Sequence, residues 1–280
     1  MNYAKAFLKT WIILELLLSS GRLYSADDPA PQIIGGRDTK DGEFPEVIYV
    51  GFGGGSCTAS VVGSRVILSA AHCMRDGGAG SFQLKQNRYN VKNCRHHPDY
   101  KRQDVDLALC EITTAVSVKF AEIAPADYSV EKGDTITMVG YGCTNPNGSG
   151  GNNGVLKVGF PKVTGFSGHD VVTYGDGLCY GDSGGPAYVQ MQDNFMETHV
   201  QITVNSKGNI RNTNYTARTY NKTARDFMTA YAKEFSVEIC GINKDCGEPD
   251  NRCFEEKQDH KYLQSLVARA AEQIQACLKL

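Results

Sequence analysis

The sequence predicts an all-β protein. From Phe44 to about Ala187, short apolar runs such as Val47–Val50, Ala59–Leu68 and Thr135–Val139 are broken by Gly, Asn and Asp. No long helical period occurs in this stretch, and 30 glycines among 280 residues suit a chain rich in turns. Short apolar runs bounded by turn residues are typical of a β-barrel or a β-sandwich.

The N-terminal segment has the pattern of a signal peptide. Lys5 and Lys9 precede the apolar run Trp11–Leu18, and small residues follow it. This order of charged, apolar and small residues predicts a signal peptide over residues 1–26 and a secreted or periplasmic protein. The cleavage position after Gly21, Ser25 or Ala26 stays open. The alternative is a membrane anchor, but the run is short for a bilayer and Glu15 interrupts it, so we expect no stable membrane insertion after signal removal.

Charge and cysteine content limit the possible partners and compartments. The net charge of −2 gives no electrostatic reason to expect nucleic acid as a partner. Ten cysteines in a chain with an export signal predict a disulfide framework. A zinc site is the weaker interpretation, because no Cys-x-x-Cys pair occurs.

Three short motifs carry the chemistry. Residues 181–186 read Gly-Asp-Ser-Gly-Gly-Pro, residues 69–73 read Ser-Ala-Ala-His-Cys, and residues 104–109 read Asp-Val-Asp-Leu-Ala-Leu. A serine needs a base and an orienting acid before it can act as a nucleophile, and the two upstream motifs offer both. Together, and in this order, the three segments closely resemble the trypsin/chymotrypsin-like serine proteases.

The resemblance implies a fold and a catalytic triad. The fold would be two six-stranded Greek-key β-barrels with the site in the cleft between them. Ser183 would attack the scissile carbonyl, His72 would accept its proton, and Asp106 would orient the imidazole. The backbone amides of Gly181 and Ser183 would form the oxyanion hole. Asp104 is the alternative acid, although the motif aligns with Asp106.

Activation by cleavage is a further implication of the resemblance. Ile33-Ile34-Gly35-Gly36 resembles the mature N-terminus of the family, which makes residues 27–32 a short propeptide. The freed ammonium of Ile33 would pair with Asp182. Because Gln32 precedes the cleavage point, an enzyme other than a trypsin-type activator, or the protein itself, would make the cut. The alternative is that Ile33 and Ile34 simply begin a strand.

The family pattern also suggests disulfide partners. It implies a bridge joining Cys57 to Cys73. Cys94 and Cys110 bracket Asp106, and we expect them to pair with each other. Cys179 lacks its usual downstream partner, so Cys143 is our candidate, because its segment runs near the nucleophile loop in this fold. The remaining four cysteines pair in one of three ways that the sequence leaves open: Cys240, Cys246, Cys253 and Cys277.

Substrate preference is expected to depend on the residue six before the serine. In the family this residue lies at the base of the primary pocket, and here it is Gly177. A base without a side chain favours uncharged residues at the cleavage site over Arg or Lys, unless Asp176 enters the pocket. For the pocket walls, the expected substrate-binding residues are Asn205 and Asn214, and we expect small or polar substrate residues.

Two helical segments are predicted near the C-terminus. Ala224–Phe235 carries helix formers with an apolar face and matches the helix that closes the fold, so the protease domain is expected over residues 33–235. Residues 236–280 form a cysteine-containing extension. Its apolar residues recur at helical spacing and predict a helix packed on the protease body or, alternatively, docking a partner: Leu263, Leu266, Val267, Ala270, Ile274, Cys277 and Leu278.

The remaining motifs favour no cofactor. His96 and His97 lack further ligands for a metal, and Met74–Asn93 is a short loop with one acid, Asp76, so calcium is not implied either. The elbow motif Gly-x-Ser-x-Gly of the α/β-hydrolases also fits residues 181–185, but the upstream histidine contradicts their chain order.

The sequence therefore predicts a monomeric serine endopeptidase, made as a zymogen, that acts on proteins or peptides. A catalytically silent homologue that binds a partner is the alternative.

Overall fold

Short, mostly antiparallel strands and two α-helices form the regular structure in the part of the chain that the computed structural model describes. The described residues are 33–52, 55–143, 145, 147–148, 154–189 and 199–246. The predicted signal peptide, propeptide and tail helix lie outside them, as do Cys253 and Cys277. Among the described residues, no helix is long and apolar enough to cross a membrane.

The N-terminal half forms a closed six-stranded barrel. Its strands are β2 (Val47–Gly51), β3 (Ser56–Gly63), β4 (Val66–Ser69), β5 (Gly80–Leu84), β6 (Asn87–His96) and β7 (Ala108–Ile112). They pair around the barrel in the order β2-β3-β4-β7-β6-β5. The apolar run Ala59–Leu68 belongs to two strands, because the chain turns at Ser64 and Arg65.

The C-terminal half is a larger sheet. It contains β1 (Arg37–Asp38), β8 (Glu122–Ile123), β9 (Ile136–Gly140), β10 (Lys157–Gly159), β11 (Lys162–Ser167), β12 (Asp170–Tyr174), β13 (Pro186–Val189), β14 (Val200–Gly208) and β15 (Thr213–Arg218). Six of these run in the order β9-β13-β14-β15-β12-β11, and an isolated bridge between Thr135 and Lys162 joins the two ends. The three short strands β1, β10 and β8 extend this second barrel.

Each barrel has its own apolar interior. The first contains Ile48, Val61, Ile67 and Ile112, and the second contains Ile136, Met138, Val171 and Ile202. A third cluster lies where the barrels and the C-terminal helix meet, and includes Leu68, Leu107, Val139, Val204 and Met228. These shared contacts hold the ends of β4, β9 and β14 together.

The C-terminal helix closes the fold. Helix α1 is the single turn Tyr100–Gln103, and α2 spans Lys222–Phe235, starting two residues before the predicted Ala224. The Asn221 side chain caps α2 by accepting a hydrogen bond from the Ala224 N–H at 2.9 Å. Ser236 ends it in the left-handed conformation. The sequence predicts an apolar face with Phe227, Met228, Tyr231 and Ala232, and these four residues are buried together with Ala224.

The all-β class and the two-barrel architecture are thus confirmed. The second barrel differs from the expectation in two respects, since a single bridge completes it and it carries three additional strands.

Candidate active site

His72 lies in a short 3₁₀ turn, Ala71–Cys73, that directly follows β4. A disulfide from Cys73 to Cys57 on β3 fixes the end of this turn to the barrel. His72 Nδ1 lies 2.6 Å from Asp106 Oδ2, and the His72 backbone N–H donates to Asp106 Oδ1 at 2.9 Å. Both carboxylate oxygens therefore orient the histidine, whose side chain is 37% exposed.

Asp106 is buried just before β7. Burial favours its neutral form, but the bonds and charge of His72, together with the Ser206 hydroxyl, hold the pKa of Asp106 below its usual range. The carboxylate is therefore ionised at neutral pH. Asp104, the alternative acid, is mainly exposed and pairs with Lys207 instead.

Ser206 is a site residue that the sequence interpretation missed. Its hydroxyl donates to Asp106 Oδ2 at 2.6 Å. The β14–β15 register shifts between Asn205 and Lys207, which leaves Ser206 as the extra residue of a bulge. Bulges often redirect a side chain beside an active site. The signal that could have found it is Ser206-Lys207-Gly208. This motif resembles the Ser-Trp-Gly segment that forms one wall of the primary pocket in the trypsin/chymotrypsin-like serine proteases.

Ser183 lies in a loop between the two barrels. Its carbonyl accepts from the Thr58 N–H on β3 at 2.9 Å, and the Gly184 N–H donates to the Asn205 carbonyl on β14 at 2.8 Å. A Cβ at Gly184 would lie 2.0 Å from Ser69 Oγ, so only glycine permits this approach to the histidine turn. The loop is therefore held close to the end of β4 from which His72 follows.

The peptide groups around Ser183 are fixed on one side. The Tyr180 carbonyl accepts from the Cys143 N–H at 2.8 Å, and the Asp182 carbonyl accepts from the Gly185 N–H at 3.0 Å. In a trans peptide the N–H points opposite to the carbonyl, so the N–H groups of Gly181 and Ser183 are directed away from these partners. Neither N–H has an acceptor among the described residues. Such N–H groups are suited to bind an oxyanion.

Asp182 is fully buried behind this loop. Its carboxylate accepts from the backbone N–H groups of Gly142 at 2.7 Å and Cys179 at 2.9 Å. Burial, only partly offset by these two bonds, raises the pKa of Asp182 to about 7. Ile33 is also fully buried, within the apolar interior of the second barrel.

Gly177 is buried at the predicted pocket base. It exchanges two backbone hydrogen bonds with Ile34, at 3.0 and 2.7 Å. A Cβ at Gly177 would lie 2.5 Å from the Arg211 carbonyl oxygen, so the base has no room for a side chain. The Asp176 carboxylate accepts from the Phe160 N–H at 2.6 Å, and this bond holds it next to β10.

The two asparagines expected in the pocket walls are fully buried, and this placement requires a correction. Asn205 Nδ2 donates to the carbonyls of Val139 and Asp182 at 3.1 and 3.4 Å, so its side chain supports the nucleophile loop from behind. Asn214 accepts from the Leu178 N–H and donates to the Asp176 carbonyl. Both side chains are buried and bond to the protein backbone, although Asn205 Oδ1 has no partner among the described residues.

Four disulfides occur among the described residues: Cys57–Cys73, Cys94–Cys110, Cys143–Cys179 and Cys240–Cys246. The third joins the segment after Gly142 to the loop before Ser183, as its proximity in the fold suggested. The fourth joins two of the four cysteines whose pairing the sequence left open.

The described residues contain one group with the spacing of metal ligands, formed by Cys57, His72 and Cys73. Because the two sulfurs are joined in a disulfide, they offer no thiolate to a metal.

Comparison with known proteins identifies the family. Residues 33–228 match the model of the Trypsin family, and the chain belongs to it. Alkaline trypsin C of Manduca sexta is 23% identical over 212 residues, which cover 61% of this chain and 83% of that protein. The vitellin-degrading protease of Bombyx mori is 26% identical over 188 residues, which cover 55% of this chain and 70% of that protein. Mouse (Mus musculus) cathepsin G is 28% identical over 133 residues, which cover 41% of this chain and 51% of that protein.

A solved structure has the same fold. Human heparin binding protein aligns with a TM-score of 0.58 at 18% identity, covering 70% of this chain and 95% of that one. With the family established, the protein is a serine endopeptidase, a hydrolase of peptide bonds.

Proposed function

We propose that this protein is a secreted serine endopeptidase that works through His72, Asp106 and Ser183. The observation that carries the proposal is the pair of bonds from Asp106 to His72, at 2.6 and 2.9 Å, in front of a serine loop held against the histidine turn. Ser183 attacks the scissile carbonyl and His72 Nε2 takes its proton. His72 then returns the proton to the leaving amine, and water hydrolyses the acyl-enzyme by the same steps.

Asp106 keeps the imidazole in the productive tautomer. With Nδ1–H bound to the carboxylate, Nε2 is free to act as the base, and the ionised carboxylate stabilises the imidazolium that forms. The N–H groups of Gly181 and Ser183 bind the developing oxyanion. Loss of one such donor typically costs about 3 kcal/mol of transition-state stabilisation.

Cleavage after uncharged residues follows from the pocket base. Gly177 places no carboxylate there, and the Asp176 carboxylate is bound to the Phe160 N–H. A substrate Arg or Lys would therefore be desolvated without a partner charge, which is unfavourable. A positional peptide library measures this preference directly. Strong selection for Arg or Lys would contradict it.

Activation is proposed to follow cleavage between Gln32 and Ile33. Asp182 is buried with two N–H donors, so a new ammonium would supply the charge that its environment lacks. Gln32 is itself uncharged, which is consistent with self-processing or with an activating protease of similar preference. Sequencing the mature N-terminus tests the cleavage position, and any start other than Ile33 would contradict it.

Labelling with a fluorophosphonate probe after cleavage at Ile33 tests the triad. We expect labelling at Ser183, none in Ser183→Ala, and strongly reduced labelling in His72→Ala. Ser117→Ala is the matched control, because Ser117 is exposed and lies outside the site. A cleaved protein that does not label would instead support the catalytically silent homologue.

A further inference from the structure

Thr58 on β3 contacts the nucleophile loop on both sides of Asp182. Its backbone N–H donates to the Ser183 carbonyl at 2.9 Å, and its hydroxyl donates to the Gly181 carbonyl at 2.7 Å. The residue is fully buried. A single side chain of the first barrel is therefore bonded to the loop whose N–H groups would receive the oxyanion.

The orientation of the hydroxyl is defined by its neighbours. The Tyr141 N–H donates to Thr58 Oγ1 at 3.0 Å, and a backbone N–H can only donate. The hydroxyl therefore accepts from Tyr141 and has its single proton available for Gly181. This arrangement also ties the segment Tyr141–Cys143, whose last N–H holds the Tyr180 carbonyl, to the same side chain.

Three successive peptide groups join Tyr180 to Ser183. The bond from the Thr58 hydroxyl to the Gly181 carbonyl fixes the central one, Gly181–Asp182. Gly181 has a φ of +103°, which glycine adopts at little cost, so its carbonyl direction depends on external partners. On the carbonyl side that partner is Thr58; on the other side the Asp182 N–H donates to the Cys179 carbonyl at 3.1 Å. The two proposed oxyanion donors flank this central peptide group.

We propose that Thr58 is a positioning residue for the oxyanion hole, acting through its hydroxyl on the Gly181 carbonyl. This inference rests on the proposed triad chemistry. Without the hydroxyl, the Gly181–Asp182 peptide group loses its carbonyl partner and can rotate. The N–H of Gly181 would then be held only through the bond from the Cys143 N–H to the Tyr180 carbonyl, so it would be less firmly fixed before the reaction. Preorganised donors are what stabilise the transition state.

Thr58→Val and Thr58→Ser test the proposal. Valine keeps the shape and removes the hydroxyl, whereas serine keeps the hydroxyl. Thr137→Val is the matched control, because the Thr137 hydroxyl is buried with no partner among the described residues. Each mature enzyme is titrated to its end point with a fluorophosphonate, so that kcat refers to competent sites only. The substrate is the best peptide amide from the positional library.

We expect kcat of Thr58→Val to fall about 10- to 100-fold with KM changed less than about threefold, since transition-state stabilisation alone is lost. Its inhibition constant for a peptide boronic acid, which forms a tetrahedral anion at the serine, should rise in parallel. Thr58→Ser and Thr137→Val should stay close to the parent enzyme. A Thr58→Val enzyme with unchanged kcat per titrated site would overturn the inference, whatever its melting temperature, and so would an equal loss in Thr58→Ser. If the parent enzyme does not label at Ser183, the proposed function itself fails.

Discussion

Ser206 and Asp106 lie 100 residues apart in the chain, and the Ser206 hydroxyl donates a hydrogen bond to Asp106 Oδ2 at 2.6 Å. The two residues belong to different barrels, so this bond crosses the cleft. Together with the bonds and charge of His72, it lowers the pKa of Asp106 and so helps to keep this carboxylate ionised.

Removing this bond should weaken catalysis measurably. In Ser206→Ala the pKa of Asp106 rises, because one hydrogen bond that lowers it is lost. We expect kcat/KM to fall about tenfold, from the typical strength of a bond to a charged group. The pH–rate profile of kcat/KM for the mature enzyme measures this loss. Thr203→Val on the same strand removes a hydroxyl that has no partner within the described part of the chain, and it should leave the profile unchanged.

A buried carboxylate away from the cleft should contribute to stability. Glu46 Oε1 accepts from the Tyr188 hydroxyl at 2.6 Å and lies 2.6 Å from His199 Nδ1, whereas Oε2 has no partner among the described residues. Burial raises the pKa of Tyr188 well above its usual range, so the phenol remains a donor. Tyr188→Phe should lower the free energy of unfolding by about 1–3 kcal/mol.

Urea denaturation measures this loss, with Tyr174→Phe as the control, because Tyr174 is 56% exposed. Activity per titrated site should not change in either variant. Equal stability of Tyr188→Phe and the parent would contradict the importance of this bond.

The uncut chain should be less stable at neutral than at mildly acidic pH because of Asp182. Its pKa of about 7 when folded exceeds the ordinary value of about 4 in the unfolded chain. Between these values the folded state holds a proton that the unfolded state has released. Stability therefore falls as pH rises through this window, by up to about 1.4 kcal/mol per pH unit from this group.

Asp182→Asn should remove this contribution. Both proteins carry Ser183→Ala to prevent self-processing, and urea denaturation at about pH 5 and pH 7 gives the difference. Asp170, whose pKa is raised to about 6, adds the same pH dependence to the stability of both proteins. Its contribution therefore cancels when the two proteins are compared. Parallel pH dependence in the two proteins would show that Asp182 does not titrate in this window.

Gly177→Asp should not produce a trypsin-like preference for Arg and Lys. The new Cβ would lie 2.5 Å from the Arg211 carbonyl oxygen, so the loop at residues 211–212 must move before any side chain fits. We expect a loss of about 1–3 kcal/mol in the free energy of unfolding and no gain of cleavage after Arg. Gly165→Ala is the control, because a Cβ there would meet nothing within 4 Å. A stable Gly177→Asp enzyme that cleaves after Arg would refute this view of the pocket base.

Local motifs were sufficient to predict the fold, and they singled out the residues of the proposed chemistry. The all-β class followed from short apolar runs, and the motif around His72 indicated a residue that the structure places against Asp106. The pocket walls were harder, because β14 is buried on both faces from Val200 to Ser206 and shows no alternation to identify its open side. The bulge at Ser206 then shifts the register, which one sequence does not reveal.

The paired backbone of Ile34 and Gly177 has a consequence for how selectivity could vary. Two hydrogen bonds attach the segment beside the proposed cleavage point to the floor of the pocket. A form trimmed by two further residues would lose Ile34 and leave both polar groups of Gly177 without their partners. The exact site of proteolytic processing would then matter for the base of the proposed pocket as well as for the activating ammonium at Ile33.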